Sequence, residues 1–276
     1  MSDKKKSDLI TRVVTALIGV AIFFIIIFSG DLVIGLALAA ITVMMLYELY
    51  KAFKFNIGLS LFGYFGAVGT VCLCSMGHMD QFFGFLTAYV IILSVMAVLF
   101  NKKISFNDVC HMIFATLYIT STIVFLLLLR KKDDSGLMCL VLVFAIAWVT
   151  DTSAYFGGRF FGKHKLIPAI SPKKTVEGAI GGVVGAVVIG CGIYALVMKY
   201  VFAYNINYIS LFALGVIGAV AAQFGDLIAS LIKRSCNVKD FGSIMPGHGG
   251  ILDRFDSVLL VAVVVYFFLE KFPIFI

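Results

Sequence analysis

The residues most able to do chemistry lie together between Ser230 and Asp256, in SLIKRSCNVKDFGSIMPGHGGILDRFD. This stretch gathers Lys233, Arg234, Lys239, Arg254, Asp240, Asp253, Asp256 and His248 in a chain that is otherwise largely hydrocarbon. Charge in or beside a bilayer is costly, so a dense mixed-charge cluster there marks a functional site. Carboxylates suit hard cations, Lys and Arg suit phosphates, and glycines let a backbone come close to a ligand.

Just upstream, Gln223, Asp226, Ser230 and Lys233 recur at a spacing that puts them on one face of a helix. A polar stripe on an apolar helix should face a water-filled or protein-lined cavity. A carboxylate near the bilayer centre costs about 2.5–3.5 kcal/mol on insertion scales. A plain structural Asp–Lys pair is the competing reading. Downstream, Pro246, Gly247, Gly249 and Gly250 make a tight loop with exposed backbone, a form that can cradle phosphate before a helix. Asp253 and Asp256 follow and share a face if a helix begins near Ile251. Asp226 and Asp253 on neighbouring helices could hold Mg²⁺, which takes one or two carboxylates plus phosphate oxygens. His248 is either a general base or phosphate donor, or a hydrogen-bonding spacer in a glycine turn.

A third constellation is WVTDTSAYFGGRFFGKHKLIPAISPKKTVEG. Trp148, Asp151 and Tyr155 line one helical face, and a basic loop follows. Interfacial aromatics and basic loops are ordinary membrane anchors, but SPKKT departs from that pattern. Pro172 stiffens it, Ser171 and Thr175 offer hydroxyls, and Lys173 and Lys174 suit a polyphosphate. Glu177 could pair with those lysines or position a metal. Glu48 and Asp108 read most simply as interfacial, and His78, His111 and Asp80 carry no specific signal.

These groups need a scaffold, and composition names its kind. Of 276 residues, 62% are hydrophobic and 13% charged, against about 25% charged in soluble domains. The chain is expected to be an all-α polytopic integral membrane protein. A helix crosses a bilayer with about 20 apolar residues. Nine stretches qualify, near 9–28, 32–50, 59–77, 82–100, 109–129, 137–155, 176–198, 208–232 and 255–272. No small-residue cleavage site follows Phe28 and further spans come after it, so the first span is expected to be retained.

With the N-terminus in the cytoplasm, only Arg130, Lys131, Lys132, Lys199 and Lys271 of the 22 Lys and Arg fall outside. The positive-inside rule therefore predicts N-in and C-out; the RKKDD loop is the discordant place. Two regions are expected: 1–136, with about five spans and short loops, and 137–276, a catalytic region of about four spans with cytoplasmic loops. No internal repeat is evident, which weighs against repeat-built transporters. The six cysteines form no CxxC and read as packing residues, and the four scattered histidines argue against zinc.

The stretch from Ser230 to Asp256 resembles the signature of phosphatidate cytidylyltransferases, also called CDP-diacylglycerol synthases. The serine, the KR pair, the KD pair, PGHGG and DRFD stand at that family's spacing, and DTSAYFGGRFFGKHKLIPAISPKKTVEG is similar to its second shared segment. Met245 stands where a branched aliphatic residue or Phe is expected. The resemblance implies CTP + phosphatidate → CDP-diacylglycerol + pyrophosphate. It implies Mg²⁺ dependence with Asp226 and Asp253 as metal carboxylates, and the family is associated with a potassium ion beside the magnesium. Lys239, Asp240, His248, Arg254 and Asp256 join them as expected catalytic residues. Asp151, Ser171, Lys173, Lys174, Glu177, Ser230, Lys233, Arg234, Gly249 and Gly250 are the expected substrate-binding set.

The residues agree with that chemistry. The lipid phosphate oxygen attacking the α-phosphorus of CTP is already an anion, so no Ser or Cys nucleophile is required. Catalysis then rests on positioning and charge neutralisation. Expected partners are CTP, phosphatidate and membrane lipids, with a homodimer left open and no nucleic acid. The expected location is a bacterial plasma membrane, with the site at the cytoplasmic face. The alternatives are another CTP-dependent lipid phosphotransferase, which would move the γ-phosphoryl group, and an anion transporter, which would spread polar residues along a path.

Overall fold

The computed structural model describes residues 2–276 apart from positions 133, 134, 246 and 248, with side chains from residue 13 onward except at 75 and 79. The chain forms two compact units, one of residues 1–127 with 238–253 and the other of 128–237 with 254–276.

In the first unit the helices are α1 (Ser2–Ile27), α2 (Asp31–Ala52), α3 (Ile57–Ser75), α4 (Met79–Leu99) and α5 (Phe106–Arg130), whose last residues pass into the second. Local chemistry sets their starts. Asn56 caps α3 by accepting from the Leu59 amide at 2.8 Å. Ahead of α5, the Ser105 amide donates to Asp108 while the Asp108 amide donates to the Ser105 hydroxyl, a reciprocal cap. Met45, Leu46, Leu49 and Tyr50 of α2 and Met112, Ile119, Ile123 and Leu126 of α5 are buried. The Thr116 hydroxyl joins Tyr50 at 2.7 Å and Tyr89 at 3.0 Å, tying α2, α4 and α5 through a polar knot inside this apolar core.

In the second unit α6 (Gly136–Phe161) leads into an antiparallel hairpin, β1 (Lys165–Ile167) and β2 (Ser171–Thr175). The Ile170 amide closes its turn onto the Ile167 carbonyl at 3.2 Å, with Pro168 at the turn position that favours a fixed φ. Thr175 then caps α7 (Val176–Gly185) through the Gly178 amide at 3.1 Å. That helix continues through a π-helical turn (Ala186–Cys191) into α8 (Gly192–Tyr200). Next is α9 (Tyr208–Ser235), followed by the part of α10 (Leu252–Lys271) from Arg254 onward. Asn207 caps α9, and Asn237, with a φ of 56°, follows its C-terminus.

Small residues let α6 and α7 pack backbone to backbone, as membrane helices do. A Cβ added at Gly178 would come within 2.8 Å of the Ala154 carbonyl oxygen. Gly178→Ala should therefore destabilise the protein by about 1–3 kcal/mol, read as a lower unfolding temperature in detergent.

All nine expected spans fall on helices, the seventh on the continuous α7–α8 rod. Among the described residues, seven helices are long and apolar enough to cross a membrane. The described apolar part of α1 is the shorter Val13–Ile27, and α10 carries charges at both ends. The hairpin is the element not anticipated. Strands of three and five residues are too short and too charged to show a period.

Candidate active site

The second unit builds a charged cluster from four elements. Strand β2 carries Lys174 to Asp226 on α9, with 2.7 Å between Nζ and Oδ2. The same ammonium lies 3.5 Å from the Gln223 carbonyl, while the Gln223 side chain donates to the Ala179 carbonyl of α7 at 3.0 Å. Ser230, one turn beyond Asp226, offers its hydroxyl to Asp226 Oδ1 at 3.4 Å. The predicted stripe on α9 is thus a helical face, and its first members are tied to β2 and α7.

Two more carboxylates join from α6 and α10. Asp151 accepts from the Ser257 hydroxyl at 2.8 Å. Asp256 is 6% exposed and feels the charges of Asp226, Asp151 and Lys233. Asp151 in turn feels Asp226, Lys174 and Arg254. Carboxylates and cations in this region offset one another, as buried charge requires. An arrangement of this kind can exchange internal ion pairs for phosphate contacts. Lys233→Ala should lower turnover if the stripe faces the nucleotide. An unchanged rate would make Lys233 a structural partner of Asp256.

Other expected residues have different surroundings. Glu177, at the start of α7, accepts from the backbone amides of Lys163 at 3.0 Å and His164 at 3.2 Å, and meets the His164 Nδ1 at 2.6 Å. It fastens the base of the hairpin, while Lys174, one of the two lysines expected beside it, pairs with Asp226. Arg234 donates through Nε to the Ile170 carbonyl at 3.3 Å, joining the end of α9 to the hairpin turn. Ser171 is half-buried in β2, and Lys173 is exposed.

The first unit holds the glycine-rich loop. The amides of Phe241 and Gly250 both donate to Asp253 Oδ2 at 3.0 Å. The Met245 amide bonds the Gly249 carbonyl at 3.1 Å, and Gly249 has a φ of 84°, which a residue with a Cβ rarely adopts. Lys239 and Asp240 are exposed. His248 lies outside the described residues.

Glu48 of α2, which reads in sequence as interfacial, supports this loop. It is 1% exposed, and its two carboxylate oxygens accept from Ile251 at 3.0 Å and Leu252 at 2.9 Å. The available signal was a lone acid inside an apolar span, which is functional by default.

Among the described residues, no three His, Cys, Asp or Glu side chains converge so as to enclose a metal ion.

Helices long and apolar enough to cross a bilayer, with carboxylates and cations gathered on a few of them, define a polytopic membrane protein equipped to handle phosphates. The model of the cytidylyltransferase family matches residues 10–272. The phosphatidate cytidylyltransferase of Bacillus subtilis (strain 168) is 34% identical over 276 residues, covering 96% of this chain and 99% of that protein. The phosphatidate cytidylyltransferase of Staphylococcus aureus (strain COL) is 35% identical over 256 residues, covering 91% and 95%. That of Staphylococcus haemolyticus (strain JCSC1435) is 34% identical over 255 residues, with the same shares. The chain belongs to the cytidylyltransferase family and is a nucleotidyltransferase.

Proposed function

We propose that the protein transfers the cytidylyl group of CTP to phosphatidate, giving CDP-diacylglycerol and pyrophosphate in phospholipid synthesis. The observation that carries this reading is the Lys174–Asp226 pair, set among Asp151, Asp256 and Lys233 on membrane helices. It sits in a chain that aligns nearly end to end with phosphatidate cytidylyltransferases.

Both reactants are multiply anionic, so the first task of the site is to cancel repulsion. Lys174, Lys233 and Arg254 of the second unit are placed among carboxylates that keep their charge in check until phosphates arrive. Lys173 and Arg234 add charge near the hairpin, and Lys239 adds it in the loop after α9. The lipid phosphate oxygen attacks the α-phosphorus, the bond to the β-phosphate breaks, and pyrophosphate leaves with the electron pair. No proton needs to move in that step, so the cations act by orientation and charge. Asp226 and Asp253 are the carboxylates we assign to Mg²⁺. When bound, the ion would neutralise phosphate charge and align the oxygens.

We place the site at the cytoplasmic face of a bacterial plasma membrane. The Lys and Arg distribution supports this, because soluble CTP and the lipid headgroup meet at that depth. The test uses purified protein with CTP labelled separately at the α- and γ-phosphates. Label from the α position should enter lipid while γ label leaves as pyrophosphate. Entry of γ label into lipid, with CDP released, would make the protein a CTP-dependent lipid kinase.

A further inference from the structure

We propose that Glu48, on a helix remote in sequence from the signature, is a positioning residue for Asp253 and its glycine-rich loop; this rests on the proposed role of Asp253. Three consecutive amides at the head of α10 are held by two carboxylates. Gly250 donates to Asp253, Ile251 to Glu48 Oε1 and Leu252 to Glu48 Oε2. Helix N-termini leave such donors without intrahelical acceptors, and here an acid from α2 supplies the acceptors. Glycine at two flanking positions makes room for it. A Cβ at Gly242 or Gly250 would collide with the Glu48 carboxylate. The Phe241 amide completes the arrangement by bonding Asp253 from the other arm of the loop. Glu48 thus fixes where α10 begins, and hence the direction in which Asp253 leaves the backbone. Buried at 1% exposure, it is bonded to the backbone amides of Ile251 and Leu252.

The experiment compares Glu48→Gln with Tyr50→Phe in full-length protein. Gln keeps the volume but presents an amide donor to one of the two amides. Tyr50→Phe loosens the same helix by removing the Thr116 hydrogen bond and leaves the loop's acceptors intact. Amide hydrogen exchange at residues 250–252, measured without substrate or metal, should be about tenfold faster or more in Glu48→Gln. Its turnover should fall about 10–100-fold, with a raised Mg²⁺ requirement, as for lost supports of metal ligands. Tyr50→Phe should lower the unfolding temperature and leave both exchange at 250–252 and the Mg²⁺ requirement unchanged. Glu48→Asp, too short to reach both amides, substitutes if the Gln variant does not fold. Wild-type exchange and Mg²⁺ requirement in the Glu48 variant would overturn the proposal. So would an equal shift in Tyr50→Phe, or failure of both Glu48 variants to fold. If the wild type itself shows no cytidylyl transfer, the proposed function fails, while the exchange result still decides whether Glu48 holds the loop.

Discussion

Asp226→Ala should reduce cytidylyl transfer by about 10²–10³-fold or more, with the protein still folded. The carboxylate meets Lys174 at 2.7 Å and accepts from Ser230. Removing it deletes an assigned Mg²⁺ ligand and releases the ammonium it orients. Folding should survive because both side chains keep water access: Lys174 is 24% and Asp226 is 32% exposed. Steady-state kinetics with varied Mg²⁺, alongside an unfolding curve in detergent, checks both parts. Full activity with unchanged Mg²⁺ dependence would remove Asp226 from the metal site.

Asp253→Asn should cost about 10²-fold or more in turnover through loss of charge, while the loop keeps its shape. Asn retains a carbonyl oxygen where Asp253 Oδ2 accepts from Phe241 and Gly250. Exchange protection of those two amides should therefore stay close to wild type. A loss of protection equal to that of Asp253→Ala would show that the charge holds the loop. Retained turnover would show that Asp253 is structural, a role Glu48 could then share.

Much of this architecture is legible in the sequence because hydrocarbon is its dominant signal. Stretches of about 20 apolar residues locate the helices, and 3.6-residue spacing correctly sets Gln223, Asp226, Ser230 and Lys233 along α9. The Lys174–Asp226 contact is different. Its residue types were marked, but their pairing depends on the fold of the hairpin, whose strands are too short for periodicity. Without that hairpin, Lys173 and Lys174 look equivalent; in the structure one is exposed and the other is held against α9.

Glu48 shows a second kind of gap. Its partners are backbone amides 203 and 204 residues away, and a backbone donor has no sequence signature. The sequence reads Gly250 as part of a loop able to approach phosphate. In the structure the same absence of a side chain leaves space for the Glu48 carboxylate. Glu177 reads in sequence as a partner for the lysines or a metal, and its contacts with Lys163 and His164 at the hairpin base have no sequence signature.

The most direct test of the central claim is a two-phase assay of purified protein with cytidine-labelled CTP, phosphatidate and Mg²⁺. Label should enter the lipid phase matched by pyrophosphate, and none should do so when phosphatidate or the metal is withheld. Label that stays in water across several lipid acceptors, with no pyrophosphate formed, would contradict it.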